Sequence, residues 1–383
     1  MDTPPCRPLR VLLVAESCST GVGRHVIDLA SGLIDRGHSV HLLYSRSRID
    51  ERFEQGLTFI IQRGATGEEV EMHRQVSLKD VTAILNVRRV IKRRGPFDII
   101  HGHSSKGGAI ARIGGLASGA KRIYSPHAFL TMSPDLGARK RLAYKLLERV
   151  CDYFGHASIN VSGYERSHAL SMGLPPHKMR VVPNGVPAIL SVDRLTLRRE
   201  LGIAQDEFLF GFIGRLSDQK NPLMLVESFT RCIANNKAKI RLVIIGDGPL
   251  RQVSQNRADA LGVGNSILWA GDANGPRLIG AFDALLLPSQ YESFPYVLLE
   301  AGAHGIPMIC TNTGAASEYI VNGLTGYVVP VGDVHGFADA MAIISSDPML
   351  ASTMGLAALA RSSEFTLDAM IEGIEQIYFE LLS

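Results

Sequence analysis

Apolar positions along this chain follow two periods, and the periods alternate. Short continuous apolar runs, as in RVLLVAES, SVHLLYS, GPFDIIHGH, KRIYSPHA and HASINVS, end in polar or glycine-bearing exits. Such runs predict strands buried on both faces. Between them the spacing becomes helical: Val26, Leu29, Ala30, Leu33 and Ile34 share a face, and Gly37 supplies the stop. The alternation predicts an α/β fold, a parallel doubly wound sheet with its loops gathered at the strand C-terminal ends.

After RVVPNGVPAI, rich in Pro, Gly and Asn, the pattern restarts with FLFGFIGR, IRLVIIGDGP, SILWAG, ALLLPS, IPMICT and GYVVPV. The boundary is expected near Pro183–Ile189, dividing the chain into residues 1–185, residues 186–364 and a terminal helix over 365–383. That helix places Phe365, Met370, Ile371, Ile374, Ile377, Tyr378 and Leu381 on one face. Two doubly wound domains in tandem predict a cleft between facing strand ends, where ligands bind.

A length of 383 residues and a hydrophobic content of 46% suit two soluble domains. The start of the chain has no long apolar stretch, so no signal peptide is expected, and no apolar run approaches a membrane span. Cys6, Cys18, Cys151, Cys232 and Cys310 are scattered without a Cys-x-x-Cys pair. That argues against a disulfide framework or a zinc site and points to the reducing cytoplasm. Charge is uneven: residues 1–190 carry 27 Lys and Arg against 16 Asp and Glu, while the remainder carries 13 against 21. The first domain is therefore expected to meet something anionic.

Two basic tracts stand out, RRVIKRR (Arg88–Arg94) and ARKRLAYKLLERV. The second puts Leu142, Leu146 and Val150 on one helical face, with Leu147 beside them and Arg139, Lys140, Arg141, Lys145 and Arg149 mostly opposite. It reads either as an ordinary domain helix with a solvated face or as a basic amphipathic surface for an anionic membrane. Nucleic acid fits less well, because few aromatics interleave the cations.

The candidate chemistry lies at strand exits. Gly21 and Gly23 follow the first strand and open the first helix, a place suited to an anion or simply to a tight turn. A dinucleotide fingerprint would need a third glycine and an acid after the second strand; an NADP site using Arg46 or Arg48 is the residual alternative. Arg215 and Lys220 in GRLSDQK are two cations suited to a diphosphate, or a pair of solvated charges. Gly246 in IGDGP leaves room for a flat ring against the backbone, whereas Asp247 reads as a turn residue.

In YESFPYVLLE, Glu292 falls at a strand exit and Glu300 inside the helix that Pro295 opens. A loop carboxylate accepts hydrogen bonds from sugar hydroxyls, and the second acid suits a ribose. The backbone N–H groups of Ser293, Phe294 and Tyr296 would point at a phosphate. The bland reading is a helix-start acid plus a surface acid, but the mainly apolar run around Glu300 makes an idle charge costly. His101, His103, Ser104, Ser105 and Lys106 cluster after one strand and His127 after the next, with no carboxylate at metal-ligand spacing.

Together these residues resemble the retaining family 4 glycosyltransferases, which have the two-domain GT-B fold. The resemblance runs through Gly21 and Gly23, HSSKGG, YSPHAF, VVPNGV, GRLSDQK, IGDGP, the Glu292-x7-Glu300 signature and TGYVVPVGD. It implies a nucleotide-sugar donor, with Arg215 and Lys220 on the diphosphate, Gly246 beside the base, Glu300 on the ribose and Glu292 on the hexose. His127 would face the reacting carbon, the Gly21–Gly23 segment would close over donor or acceptor, and His103, Ser104 and Lys106 would lie on the acceptor side. It further implies no cofactor and no metal, a lipid-linked glycan acceptor, and a last helix that returns to the first domain. Where many relatives have Glu-Gly-Phe-Gly, this chain has Glu292-Ser293-Phe294-Pro295, resembling the branch that builds bacterial surface polysaccharides. A nucleotide-sugar epimerase and a non-enzymatic sugar-nucleotide-binding subunit are the other readings.

Overall fold

The computed structural model describes residues 7–73, 77, 79–188, 193–234, 236 and 238–383; Cys6 and Ile189 lie outside them. The chain divides into two compact units, Met1–Asn184 together with Leu367–Ser383, and Gly185–Thr366. Each is built on its own wholly parallel sheet.

The first sheet comprises β1 (Arg10–Ala15), β2 (Ser39–Tyr44), β3 (Thr66–Glu69), β4 (Ile99–His103), β5 (Lys121–Ser125), β6 (Ala157–Asn160) and β7 (Met179–Val181). Its order is β3-β2-β1-β4-β5-β6-β7. Both faces of β1 are buried, as its apolar run requires. Val11 and Leu13 meet Val26, Leu29 and Leu33 of the Thr20–Asp35 helix, while Leu12 and Val14 meet Ala83, Val87 and Ile110 on the opposite face. The Leu367–Leu382 helix belongs to this unit, burying Met370, Ile371, Ile374 and Tyr378 in the same core as Val26 and Leu29.

The second sheet comprises β8 (Phe208–Ile213), β9 (Ile240–Ile245), β10 (Ile267–Gly271), β11 (Ala284–Leu287), β12 (Met308–Thr311) and β13 (Gly326–Val329), in the order β10-β9-β8-β11-β12-β13. Phe208, Phe210 and Phe212 alternate onto one face and pack against Met224, Leu225 and Phe229 of the Pro222–Ala234 helix.

Strand order reverses between β1 and β4 in one sheet and between β8 and β11 in the other. At such a switch point the helices that follow the two strands leave on opposite faces, so their loops part and open a crevice. Among the described residues no single helix is long and apolar enough to cross a membrane.

Candidate functional site

In the second unit the exits of β8 and β11 are stitched together at the switch point. The Gln290 N–H donates to the Gln219 carbonyl at 2.7 Å, and Gln219 Nε2 donates to the Tyr291 carbonyl at 3.1 Å. This brings Lys220 to Glu292: Nζ donates to Oε1 at 2.6 Å, and Ser289 Oγ donates to the same oxygen at 2.8 Å. Glu292 is only 7% exposed. Arg215, on the same exit as Lys220, is exposed, and among the described residues no acid pairs with it. The site thus offers one neutralised carboxylate and one open guanidinium. Beneath it, burial and then the Glu292 charge push the Cys310 thiol up, leaving it an inert packing group.

Ser293 and Phe294 are buried, and the Phe294 ring is an anchor, 5.6 Å from Phe365 and edge-on to Tyr319 at 6.3 Å. Pro295 caps the helix Tyr296–Ala303, whose residues from Tyr296 through Gly302 are all buried. This total burial explains why YVLLEAGA shows no polar face, and it places Glu300 within the second turn of a core helix.

Gly246 has φ +126°, and a Cβ there would lie 2.2 Å from the Gly214 carbonyl oxygen. Its glycine is thus demanded by the packing of one strand-end loop on another, independent of any ligand. Asp247 accepts from the Gly248 N–H at 2.6 Å and pairs with Arg251 at 3.0 Å, so it is a turn residue.

The rim of the first unit is strained. Thr20 (φ 54°), Ser104 (φ 64°), His127 (φ 53°) and Ala128 (φ 91°) follow β1, β4 and β5, and Asn221 is the only other non-glycine of positive φ among the described residues. Each such residue costs on the order of 1–3 kcal/mol, and surroundings that hold several together mark a functional rim. Buried Glu165 supplies part of that hold, accepting from the Ala128 N–H at 2.6 Å and the Val161 N–H at 2.8 Å. Asp50 does the same for the first helix, accepting from the Thr20 and Phe53 N–H groups at 2.7 and 2.9 Å.

Here four imidazoles meet. His103 Nδ1 and His127 Nε2 are hydrogen-bonded at 3.1 Å, and the His25 ring centroid lies 4.4 Å from that of His127. His25 Nδ1 donates to the Asn184 side-chain oxygen at 3.1 Å, and His101 stands behind, hydrogen-bonded to the Tyr378 hydroxyl at 2.7 Å and to Ser125 at 2.9 Å. Burial pushes His25 down to about 4. Burial first, then the neighbouring imidazoles, hold His101, His103 and His127 well below the usual histidine range. At neutral pH all four are therefore uncharged, able to exchange hydrogen bonds with hydroxyl groups. The ring nitrogens of His25, His103 and His127 lie within 4.8 Å of one another, the one grouping among the described residues with the donors for a borderline metal such as zinc.

Gly21 and Gly23 belong to the first turn of the Thr20–Asp35 helix rather than to a separate loop; a Cβ on Gly23 would meet the Cys18 carbonyl carbon at 2.8 Å. The Ser104 hydroxyl is buried without a hydrogen-bond partner, whereas Lys106 is turned to Asp80 at 2.5 Å. Arg46 is paired with Glu54 (2.8 Å) and Glu69 (3.4 Å), and Arg48 with Glu16 (3.3 Å). Both cations of the dinucleotide alternative are thus engaged in ion pairs, those of Arg46 at the exposed surface.

Sequence reasoning passed over His25, Asn184, Glu165 and the buried Glu16. For Glu165 a signal existed: Ser162-x-x-Glu165 is a capping-box spacing, and the Ser162 side chain does accept from the Glu165 N–H. His25 sits on a helix face ten residues past the end of β1, and nothing in its spacing distinguishes it from a core histidine.

Comparison with known proteins gives a consistent result. A family model described as Glycosyltransferase Family 4 matches residues 19–188, and one described as Glycosyl transferases group 1 matches residues 193–361. The chain is 30% identical over 289 residues to the UDP-Gal:alpha-D-GlcNAc-diphosphoundecaprenol alpha-1,3-galactosyltransferase of Escherichia coli, covering 72% of this chain and 74% of that protein. It is 25% identical to the D-inositol 3-phosphate glycosyltransferase of Acidothermus cellulolyticus over 99% of this chain and 92% of the relative. Among solved structures, HepE from Anabaena in complex with UDP and glucose superposes with a TM-score of 0.83 at 20% identity, covering 97% of this chain and 100% of its own.

Proposed function

The chain belongs to glycosyltransferase family 4 and has the GT-B fold, and from that premise we propose that it moves a hexose or N-acetylhexosamine from a UDP-sugar to a polyprenyl-diphosphate-linked glycan, retaining the anomeric configuration. The observation that carries this reading is the partly buried Lys220–Glu292 contact at the switch point, with the open Arg215 on the same exit. A diphosphate needs cations and a hexose needs a carboxylate, and this site supplies both. The UDP and lipid-linked parts draw on the Escherichia coli relative, whose name specifies UDP-Gal and a diphosphoundecaprenol acceptor.

In this reading Arg215 and Lys220 hold the diphosphate, Glu292 orients the hexose, and Glu300 takes the ribose hydroxyls. The backbone N–H groups around Ser293, Phe294 and Tyr296 add to the phosphate field at the start of the helix. The bond from the anomeric carbon to the β-phosphate oxygen breaks as the acceptor oxygen attacks from the same face. The acceptor's proton passes to the departing phosphate oxygen, while Arg215 and Lys220 stabilise the charge that develops there. These two cations do the work for which other enzymes recruit a metal, so we assign no metal to the step. The neutral imidazoles of His103 and His127, with Ser104, serve as hydroxyl partners on the acceptor side.

A thermal-shift screen of UDP-, GDP-, ADP- and dTDP-sugars tests the donor, since preferential binding raises the melting temperature. A UDP-sugar is expected to give the largest shift and then to glycosylate a lipid-diphosphate acceptor, read by mass spectrometry. Turnover of the nucleotide sugar without any acceptor would instead mark an epimerase, and binding without turnover a non-catalytic subunit. Undiminished transfer by both Glu292→Ala and Lys220→Ala would overturn the site.

A further inference from the structure

The loop that carries His127 is held by a carboxylate from another element. It runs from the end of β5 to the short turn Leu130–Met132. Within it His127 (φ 53°) and Ala128 (φ 91°) are consecutive non-glycine residues in the left-handed region. One such residue is uncommon, and two in succession persist only where their surroundings impose them. The peptide between the two is the point of control. Turning it over would carry Ala128 from φ 91° to about −90°, which alanine adopts without strain. Left to itself, this peptide would therefore face the other way.

The helix Gly163–Ser171 supplies the opposing hold. Glu165, with no exposed surface, accepts from the Ala128 N–H at 2.6 Å and from the Val161 N–H at 2.8 Å. A capping-box acid ordinarily serves the start of its own helix. This one also reaches 37 residues back along the chain, to the N–H of the very peptide that joins the two strained residues. Both partners are donors, so the side chain must accept at both oxygens, which a carboxylate does and an amide does not. A peptide turned over would instead set the His127 carbonyl oxygen against that carboxylate. The far end of the loop is fixed separately. Phe129 shares an apolar cluster with Ala169 and Met172, and Thr131 Oγ1 is hydrogen-bonded to His168 Nε2 at 2.8 Å. Between these anchors and β5, the His127–Ala128 peptide is the part left free to turn, and Glu165 is what stops it.

We propose that Glu165 is a positioning residue that holds the His127–Ala128 peptide against turning over and so keeps the His127 imidazole on His103. The two rings are stacked at 5.4 Å with 18° between their planes, an arrangement that the backbone direction at His127 makes possible. The hold on the loop stands without the function proposed above. That sugar transfer depends on it rests on that reading, in which His127 meets the acceptor.

The test pairs Glu165→Gln with Ala128→Gly in the full-length protein. Glutamine keeps one accepting oxygen and sets a donor against the other N–H, whereas a glycine at φ 91° is unstrained and needs no hold. NMR of histidine-labelled protein reads the His127 Cε1–H resonance, assigned with His127→Gln, and transfer to a short-chain, water-soluble acceptor analogue is followed alongside. Glu165→Gln should move that resonance toward the position of an exposed histidine. It should also lower kcat/KM for the acceptor at least about tenfold, with KM for the nucleotide sugar unchanged. Glu165→Gln/Ala128→Gly should bring both readouts back toward the wild type. A general loosening of the Gly163–Ser171 helix would not be relieved by a glycine in a different element. An unmoved resonance in Glu165→Gln, or a shift that the glycine does not reverse, overturns the proposal. If Glu165→Gln alone does not fold, the double variant must; a double variant equally unfolded overturns it too. A resonance that shifts and is rescued, in a protein whose wild type transfers no sugar, would sustain the hold and count against the proposed function.

Discussion

Lys220 Nζ and Glu292 Oε1 lie 2.6 Å apart although 72 residues separate them in the chain. Their side chains are 16% and 9% exposed, so the ammonium neutralises a carboxylate that water reaches poorly. Removing either partner leaves the other charge half-desolvated. Lys220→Met and Glu292→Gln are each expected to cost about 1–3 kcal/mol in denaturant unfolding, with the double variant less unstable than the sum of the two. On the proposed function each single change should also lower kcat/KM by about 100-fold or more. Strict additivity in stability would mean that the contact carries no energy.

The loops that frame this pair depend on a second close approach. Gly246 combines φ +126° with a potential Cβ 2.2 Å from the Gly214 carbonyl oxygen, which is backbone and has little room to yield. Gly246→Ala should therefore destabilise the second unit by more than about 2 kcal/mol, the combined effect of strain and steric displacement. Because Gly214 precedes Arg215, the displacement should also weaken donor binding. Gly262→Ala is the control for φ alone, since that glycine has φ +74° and no atom within 4 Å of its Cβ position. The comparison of melting temperatures separates the two contributions.

Acid should act on the first unit. The histidines His25, His101, His103 and His127 are held neutral, and their folded-state pKa values lie below the unfolded value. Below a pH of about 6.5 the unfolded chain therefore binds more protons than the folded one, and stability falls as pH falls. For His25 the loss runs from about 6.5 down to about 4, where its folded form begins to titrate. His101→Gln, which leaves Tyr378 and Ser125 a polar neighbour, should flatten the slope of melting temperature against pH between 4.5 and 6.5 by roughly one proton. An unchanged slope would show that His101 is not held neutral.

What the sequence disclosed, and what it hid, follows from where the information lies. All eleven strands expected from apolar runs are present, because a strand buried on both faces must be apolar throughout. The two that were passed over, β3 and β7, are the edges of the first sheet. β3 (TGEE) has no fully buried position, so no core demanded an apolar run there. Glu292, Lys220 and Arg215 were legible because strand exits can be read from the strands themselves. The meeting of His25 with His103 and His127 was not, since it joins a helix to the ends of two strands and leaves no periodicity. The helix Ala138–Tyr153 was legible in part: its pattern is amphipathic, but period alone does not say which face is outward. Its outward face is settled by Arg112, a cation buried on a neighbouring helix that draws Glu148 in.

The imidazole group also predicts how the protein responds to metals. The proposed reaction uses Arg215 and Lys220 to stabilise the departing diphosphate, so transfer is expected to proceed at an unchanged rate in EDTA. Zinc should nonetheless act on the protein, because three uncharged imidazoles within 4.8 Å of one another form a plausible ligand set at neutral pH. Tetrahedral zinc with bonds of 2.0–2.1 Å spaces its ligand nitrogens about 3.3 Å apart. The His103–His127 separation of 3.1 Å already approaches that, and His25 would have to close in. Micromolar zinc should then inhibit transfer reversibly, with EDTA restoring the rate. His25→Gln should raise the inhibitory zinc concentration at least tenfold relative to the wild type, whatever its effect on the uninhibited rate. Loss of activity in EDTA would show that a metal takes part in transfer, and undiminished zinc sensitivity in His25→Gln would place the inhibitory site elsewhere.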